Sequence, residues 1–291
     1  MGFFKSLFGS SVENPEEKRQ EELAKKFDVL KYDGVRALRS GQMAYAKQCF
    51  THALEIKDDL EVRDYLSEAL MRSGEMLPAL EQLRLLCEAQ PDNGRIYVRM
   101  AQAAYMLEDY TAMAQACEKA LAIDAEDILA LYLYARAYRG QHNPILAVAM
   151  LTKAIALDEH YGDAYLLRGE ILLEMGDVEG AAQDADLLLE RNPGHEDVLM
   201  LKARVAEAAG RHDEALALYG QVIDANPFCT AAYKERGAIR YATGDKEGAS
   251  EDMRQLLELE PGVADSLTGQ YQAEGKDRTQ LPFDNNKNLK I

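Results

Sequence analysis

The sequence predicts an all-α chain, a solenoid of stacked helical hairpins, and three observations carry that prediction. The stretch GDVEGAAQDADLLLERNP at 176–193 returns as GDKEGASEDMRQLLELEP at 244–261, with Gly, Asp, Glu, Gly, Ala, Leu and Pro in step. Taking the turn glycine of that stretch as a marker gives Gly41, Gly74, Glu108, His142, Gly176, Gly210 and Gly244, spaced by 33 residues once and by 34 five times. Self-similarity at such a period is the mark of a repeat architecture. Each marker is flanked by two amphipathic segments, as in DAYLLRGEILLEM at 163–175 and HDEALALYGQVIDANP at 212–227. One hairpin cannot bury its apolar face alone, so neighbours must stack.

Taken in order, residues 1–14 form a short apolar segment, flexible or docking, with Phe3, Phe4, Leu7 and Phe8 on one side of a short helix. It is too short to span a bilayer and lacks the parts of a secretory signal, so the expected location is cytoplasmic. An interfacial anchor stays open there, and Met1-Gly2 with Ser6 matches the loose myristoylation pattern, to which Phe3 is a poor fit. Residues 15–262 hold seven repeats, at about 27–60, 61–93, 94–127, 128–161, 162–195, 196–229 and 230–262. The first is preceded by an extended helix that starts at Pro15, a good first helical position, and carries Leu23, Phe27, Leu30 and Leu38. Pro193, Pro227 and Pro261 close the last three repeats, because the ring cannot continue a helix. Residues 263–291 read as a polar tail or a cap over the last hairpin.

Composition narrows the function. The net charge of −17 falls wholly on the central segment, since residues 1–27 and 263–291 are each neutral. Such a surface repels phosphate backbones, which excludes nucleic acid as a partner. Cys49, Cys87, Cys117 and Cys229 show no CxxC or zinc spacing and are expected as free thiols of a reducing compartment. The histidines are scattered, with no HExxH, so no metal and no cofactor is expected. GxSxG, the Walker glycine loop and the dinucleotide fingerprint are all absent, and the chain reads as not an enzyme.

On these residues the chain resembles the tetratricopeptide-repeat family. Gly34, Gly169 and Gly237 stand in the family's glycine slot, with Ala101, Ala135 and Ala203 as the next smallest choice. Ala46, Ala79, Ala147, Ala181, Ala215 and Ala249 supply the small residue of the second helix, and Tyr97, Tyr165 and Tyr233 stand where the family's first large residue packs. Departures are Ser67 in the glycine slot, Met113 in place of the small Ala, Ala125 and Glu159 where Pro is usual, and His142-Asn143-Pro144 at the fourth turn.

The resemblance implies a right-handed superhelix whose concave face is lined by the first helix of each repeat. Mapped onto that face, the period gives the row Glu68, Gln102, Arg136, Glu170 and Arg204, either an ion-pair ladder between repeats or a receptor for a peptide. Val98, Tyr105, Tyr132, Arg139, Leu166, Leu173 and Met200 are expected beside it, with Tyr and Arg the usual hot-spot side chains. The resulting expectation is a scaffold or adaptor that binds a protein segment in the groove, Arg136 and Arg139 orienting acidic groups. Left open are a membrane-peripheral adaptor, a non-catalytic subunit of an enzyme complex and a homo-oligomer. Some family members grip a chaperone C-terminus with a Lys and Asn clamp; Lys31 matches, but Val35 stands where Asn is needed, so that activity is not carried over.

Overall fold

The computed structural model describes residues 15–263. The apolar segment at 1–14 and residues 264–291 of the tail lie outside the described residues, as do the readings that rest on them. Among the described residues the chain is all-α, without strands.

Contacts divide the chain at the fourth turn, between His142 and Asn143. The first unit contains α1 (Pro15–Arg39), α2 (Met43–Ile56), α3 (Leu60–Arg72), α4 (Met76–Ala89), α5 (Gly94–Met106), α6 (Tyr110–Ile123) and α7 (Ile128–Gly140). The second contains α8 (Pro144–Leu157), α9 (Gly162–Glu174), α10 (Val178–Arg191), α11 (Glu196–Ala208), α12 (His212–Ala225), α13 (Thr230–Thr243) and α14 (Lys246–Leu259). Within each unit, every helix packs on the one before it in sequence.

The recurring GDxEG stretch is a stop followed by a start. All seven turn markers adopt the left-handed backbone: five are glycines, and Glu108 (φ 56°) and His142 (φ 58°) hold it without that freedom. The next-but-none Asp then caps the second helix, Asp177 accepting from the Gly180 amide at 2.9 Å and Asp245 from the Gly248 amide at 2.9 Å. A β-carbon on Gly180 would stand 2.7 Å from Asp177 Oδ2, and one on Gly248 would be closer still to Asp245, although the equivalent Ala112 amide donates to Asp109 at 2.9 Å with its β-carbon in place.

Packing explains the small residues. Ala46, Ala79, Ala147, Ala181, Ala215 and Ala249 are fully buried, and Met113 is accommodated in the same column with no exposure. Each marks a close approach of two helices. A β-carbon on Gly34 would meet the Phe50 ring at 2.5 Å, and one on Gly169 would meet Leu201 at 2.7 Å. Ser67, in the same slot, is fully buried and donates its hydroxyl to Asp64 O at 2.7 Å, which satisfies its polarity inside the first helix of its hairpin.

Two buried carboxylates tie hairpins together. Asp184, 4% exposed, accepts from Arg168 Nε (2.9 Å) and Nη2 (2.7 Å), joining α9 to α10. Asp252, 1% exposed, accepts from Arg236 Nε (3.0 Å) and Nη2 (2.6 Å) and from Arg240 Nη1 (3.0 Å), joining α13 to α14. Between these hairpins the pairing runs backwards: Lys202 on α11 reaches Asp186 on α10 at 2.5 Å. In the first unit Tyr134 on α7 donates back to Glu118 on α6 at 2.7 Å.

Candidate interaction surface

In the first unit, the first helices of successive hairpins are riveted by charged side chains. Lys31 on α1 donates to Glu61 on α3 at 2.5 Å and lies 3.5 Å from Asp59. The hydrogen bond from Lys31 holds the Glu61 carboxyl below its ordinary range, and that bond likewise raises the lysine. Arg72 donates to the Leu38 carbonyl (3.3 Å) and to Glu68 (3.4 Å). Arg99 on α5 donates to Asp64 and Ser67 on α3. The acidic side chains of α3 are thus engaged by Lys31, Arg72 and Arg99.

Arg136 on α7 is different. Its guanidinium carbon lies 3.6 Å from the Tyr105 ring centroid on α5 and 5.8 Å from that of Tyr132, one turn earlier on its own helix. No carboxylate of the described residues pairs with it. Stacking on a ring holds the guanidinium plane while leaving its edge donors for a planar acceptor. Gln102, Tyr105, Tyr132 and Arg139 are half-buried, whereas Val98 is only 7% exposed. Val98 is therefore interior, a correction to its expected place in the lining.

The second unit departs further. Met200 is 6% exposed and belongs to the core around Tyr219 and Val222, so it too is interior. Leu166 and Leu173 are partly buried against Ala181, Ala185, Leu201 and Val205. Arg204 is not open to a ligand carboxylate: its Nε and Nη2 grip Glu235 on α13 at 2.7–3.1 Å. The expected step from Glu170 to Arg204 survives only as a weaker charge interaction behind that grip.

Glu235 also accepts from the Tyr219 hydroxyl at 2.8 Å, and the same hydroxyl lies 3.2 Å from Glu207. Tyr219 is fully buried, and burial pushes its hydroxyl strongly upward, so it stays a donor at every physiological pH. Burial also raises the Glu207 carboxyl above its ordinary range. This network was missed because Tyr219 reads in sequence as a core aromatic, and Glu235 lies 31 residues from Arg204 rather than 34.

Other chemistry is sparse. All five histidines are exposed. The four cysteines are free, and burial pushes the Cys117 thiol up to about 12. Among the described residues no group of three His, Cys, Asp or Glu is placed to hold a metal, and no helix is long and apolar enough to cross a membrane.

Hairpins of this kind, stacked with charged and aromatic side chains along one row of helices, define a helical-repeat scaffold for non-covalent recognition. Tetratricopeptide-repeat family profiles match residues 94–127, 138–205 and 200–264. The chain belongs to the tetratricopeptide-repeat family. Among curated proteins it is similar to protein CTR9 homolog of Arabidopsis thaliana, 28% identical over 152 residues, covering 48% of this chain and 14% of that protein. It is also similar to DnaJ homolog subfamily C member 3 of Gallus gallus, 24% identical over 271 residues, covering 81% and 53%. The chain thus spans about half or less of these relatives.

Solved structures show the fold. A tetratricopeptide repeat protein from Parabacteroides merdae superposes with a TM-score of 0.70 at 18% identity, covering 81% of this chain and 94% of that one. PilW, a type IV pilus biogenesis factor, gives 0.63 at 19% identity, covering 69% and 94%. YrrB, a repeat protein with an unusual peptide-binding site, gives 0.50 at 19% identity, covering 62% and 92%.

Proposed function

We propose that this protein is an adaptor that holds a segment of a partner protein along the first helices of its hairpins, with the anchor at Arg136. One observation carries the reading. On an acidic chain whose neighbouring cations Lys31, Arg72 and Arg99 are each held by a carboxylate, Arg136 alone of this group has no acid, and the Tyr105 and Tyr132 rings back it instead. A partner carboxylate meeting its edge would form a charge-assisted bidentate pair. Tyr105 and Tyr132 supply apolar area around that pair, and Gln102 a neutral donor and acceptor for the partner's backbone. Arg139, three residues on, adds a second cation on the same helix face. The likeness to a structure described as having a peptide-binding site supports a segment rather than a small molecule as the ligand.

The test is affinity purification of the full chain beside an Arg136→Ala/Arg139→Ala variant. Binding partners recovered by the wild type and lost by the variant support the anchor. Equal recovery of the same partners by both removes it and leaves the fold untouched.

A further inference from the structure

The register of the repeats leaves one helix face without its neighbour. Val29 on α1 is equivalent to Val62, Ile96, Ala130, Ala164, Val198 and Ala232, all of them buried, and Tyr32 shares its position with the buried Leu133, Leu167 and Leu201. What buries these later residues is the second helix of the hairpin before: Ile96 clusters with Leu83 and Leu86 of α4, and Val198 with Leu188 of α10. Among the described residues no helix precedes α1, so Val29 is 59% exposed and Tyr32 69%. Further along the same face, Arg36 stands where later repeats bury Ala69 or Ile239; it pairs with Asp33 at 3.1 Å and flanks the Tyr32 ring. That end is closed by charge, as the outer face of a terminal repeat requires. The uncovered apolar part is therefore short, about one turn of helix, and a whole further hairpin would have to bury the Arg36 and Asp33 pair.

We propose that the chain's own N-terminal segment covers this face, with Phe4, Leu7 and Phe8 packed over Val29 and Tyr32. Three features favour this occupant. Pattern is the first: Phe4, Leu7 and Phe8 stand at i, i+3 and i+4, the spacing that sets apolar side chains on one helix face, as the missing second helix would. Reach is the second. Val29 lies 14 residues along α1 from Pro15, about 21 Å at 1.5 Å per residue, and the seven steps of chain from Phe8 to Pro15 span up to about 24 Å. Phe8 thus arrives at Val29, and Phe4, one turn further, at Tyr32, the segment running antiparallel to α1. The connection, GSSVEN at 9–14, has the small and polar residues of a turn. Charge is the third. Lys5 and Glu13 are the only charged side chains of residues 1–14, so the segment brings no net charge to an acidic chain, whereas a second copy would bring −17. Tethering also gives the segment an effective concentration on the order of millimolar, which a contact this small needs.

The chain has no Trp, so Phe8→Trp in the full chain is a single fluorescent reporter, and Phe4→Trp gives an independent reading over Tyr32. In dilute solution without lipid, emission from either should lie at shorter wavelength, and acrylamide quenching should be weaker, than in the urea-unfolded chain. Val29→Asp in the same background should return both readings to the unfolded values. Unchanged far-UV circular dichroism establishes that the helices of this variant are intact, as expected for an exposed position. A Trp that is solvent-like at both positions in the native chain, or a shift that Val29→Asp leaves in place, overturns the proposal. A shift that fades on dilution overturns it in favour of a second copy, and one that appears only with phosphatidylglycerol vesicles overturns it in favour of a membrane surface.

Discussion

Arg168 grips Asp184 through two N–H···O bonds, and Arg236 grips Asp252 in the same way 68 residues later. Both aspartates are almost fully buried while their arginines keep some solvent contact. Removing one partner of such a pair strands the other's charge. Asp252→Ala, which leaves both Arg236 and Arg240 without their acid, is expected to destabilise the last hairpin by about 3 kcal/mol. Hydrogen exchange of α13 and α14 measures this directly, because repeat chains open hairpin by hairpin. An unchanged exchange rate would show that the grip contributes nothing.

The left-handed turn at Glu108 predicts a gain. A non-glycine residue in that conformation costs about 1–2 kcal/mol, partly offset by the larger entropy a glycine loses on folding. Glu108→Gly should therefore raise the urea midpoint, by about 0.5–1 kcal/mol in stability. Glu108 is exposed, so no other contact confuses the comparison.

Close helix approach predicts losses. Ala215→Leu inserts three carbons into a fully buried position and should cost about 1–3 kcal/mol. Gly34→Ala should cost more than Gly169→Ala, because the former drives a β-carbon into the rigid Phe50 ring and the latter into the movable end of Leu201. Thermal melts of the three variants give the ranking.

Glu207 predicts a pH dependence with a definite sign. Glu207 is half-buried beside the Tyr219 hydroxyl, which donates toward it at 3.2 Å and more closely to Glu235 at 2.8 Å. Burial raises its folded-state pKa. A carboxyl raised in the folded state binds protons more tightly there, so its contribution is fully present below the unfolded value of about 4.3 and is lost as pH rises through the folded value. Glu207→Gln should remove that loss, flattening stability against pH between mild acid and neutrality. Identical pH profiles for the two proteins would refute the assignment. Glu61, lowered by Lys31, acts in the opposite sense in the first unit, losing its contribution as pH falls.

The hairpins were legible because their punctuation is chemical: every turn marker needs one backbone conformation, and five of seven use the residue that adopts it freely. The surface was legible only in part. Residues 98, 132, 166 and 200 share one repeat position, yet Val98 and Met200 sink into the interior while Tyr132 and Leu166 remain half-exposed. A short branched side chain and a flexible thioether bury readily, whereas a tyrosine keeps its hydroxyl near water. The grip of Arg204 on Glu235 was hidden for another reason. Strict periodicity aligns equivalent backbones, but long side chains on neighbouring first helices meet at separations of 30, 35 and 31 residues, as Lys31 with Glu61, Asp64 with Arg99, and Arg204 with Glu235 show. The Arg168 and Asp184 grip was present in the 68-residue echo, where both partners recur, but abundant carboxylates on helices read first as solvated.

The difference between ties inside a hairpin and ties across its boundary matters to anyone who would cut and splice this chain. Arg168 and Arg236 each hold together the two helices of one hairpin, whereas Lys202 fastens its hairpin to the one before. A cut between hairpins leaves Arg168 with Asp184 and Arg236 with Asp252 and parts only Lys202 from Asp186 among these pairs, so the cassette they define is the single hairpin.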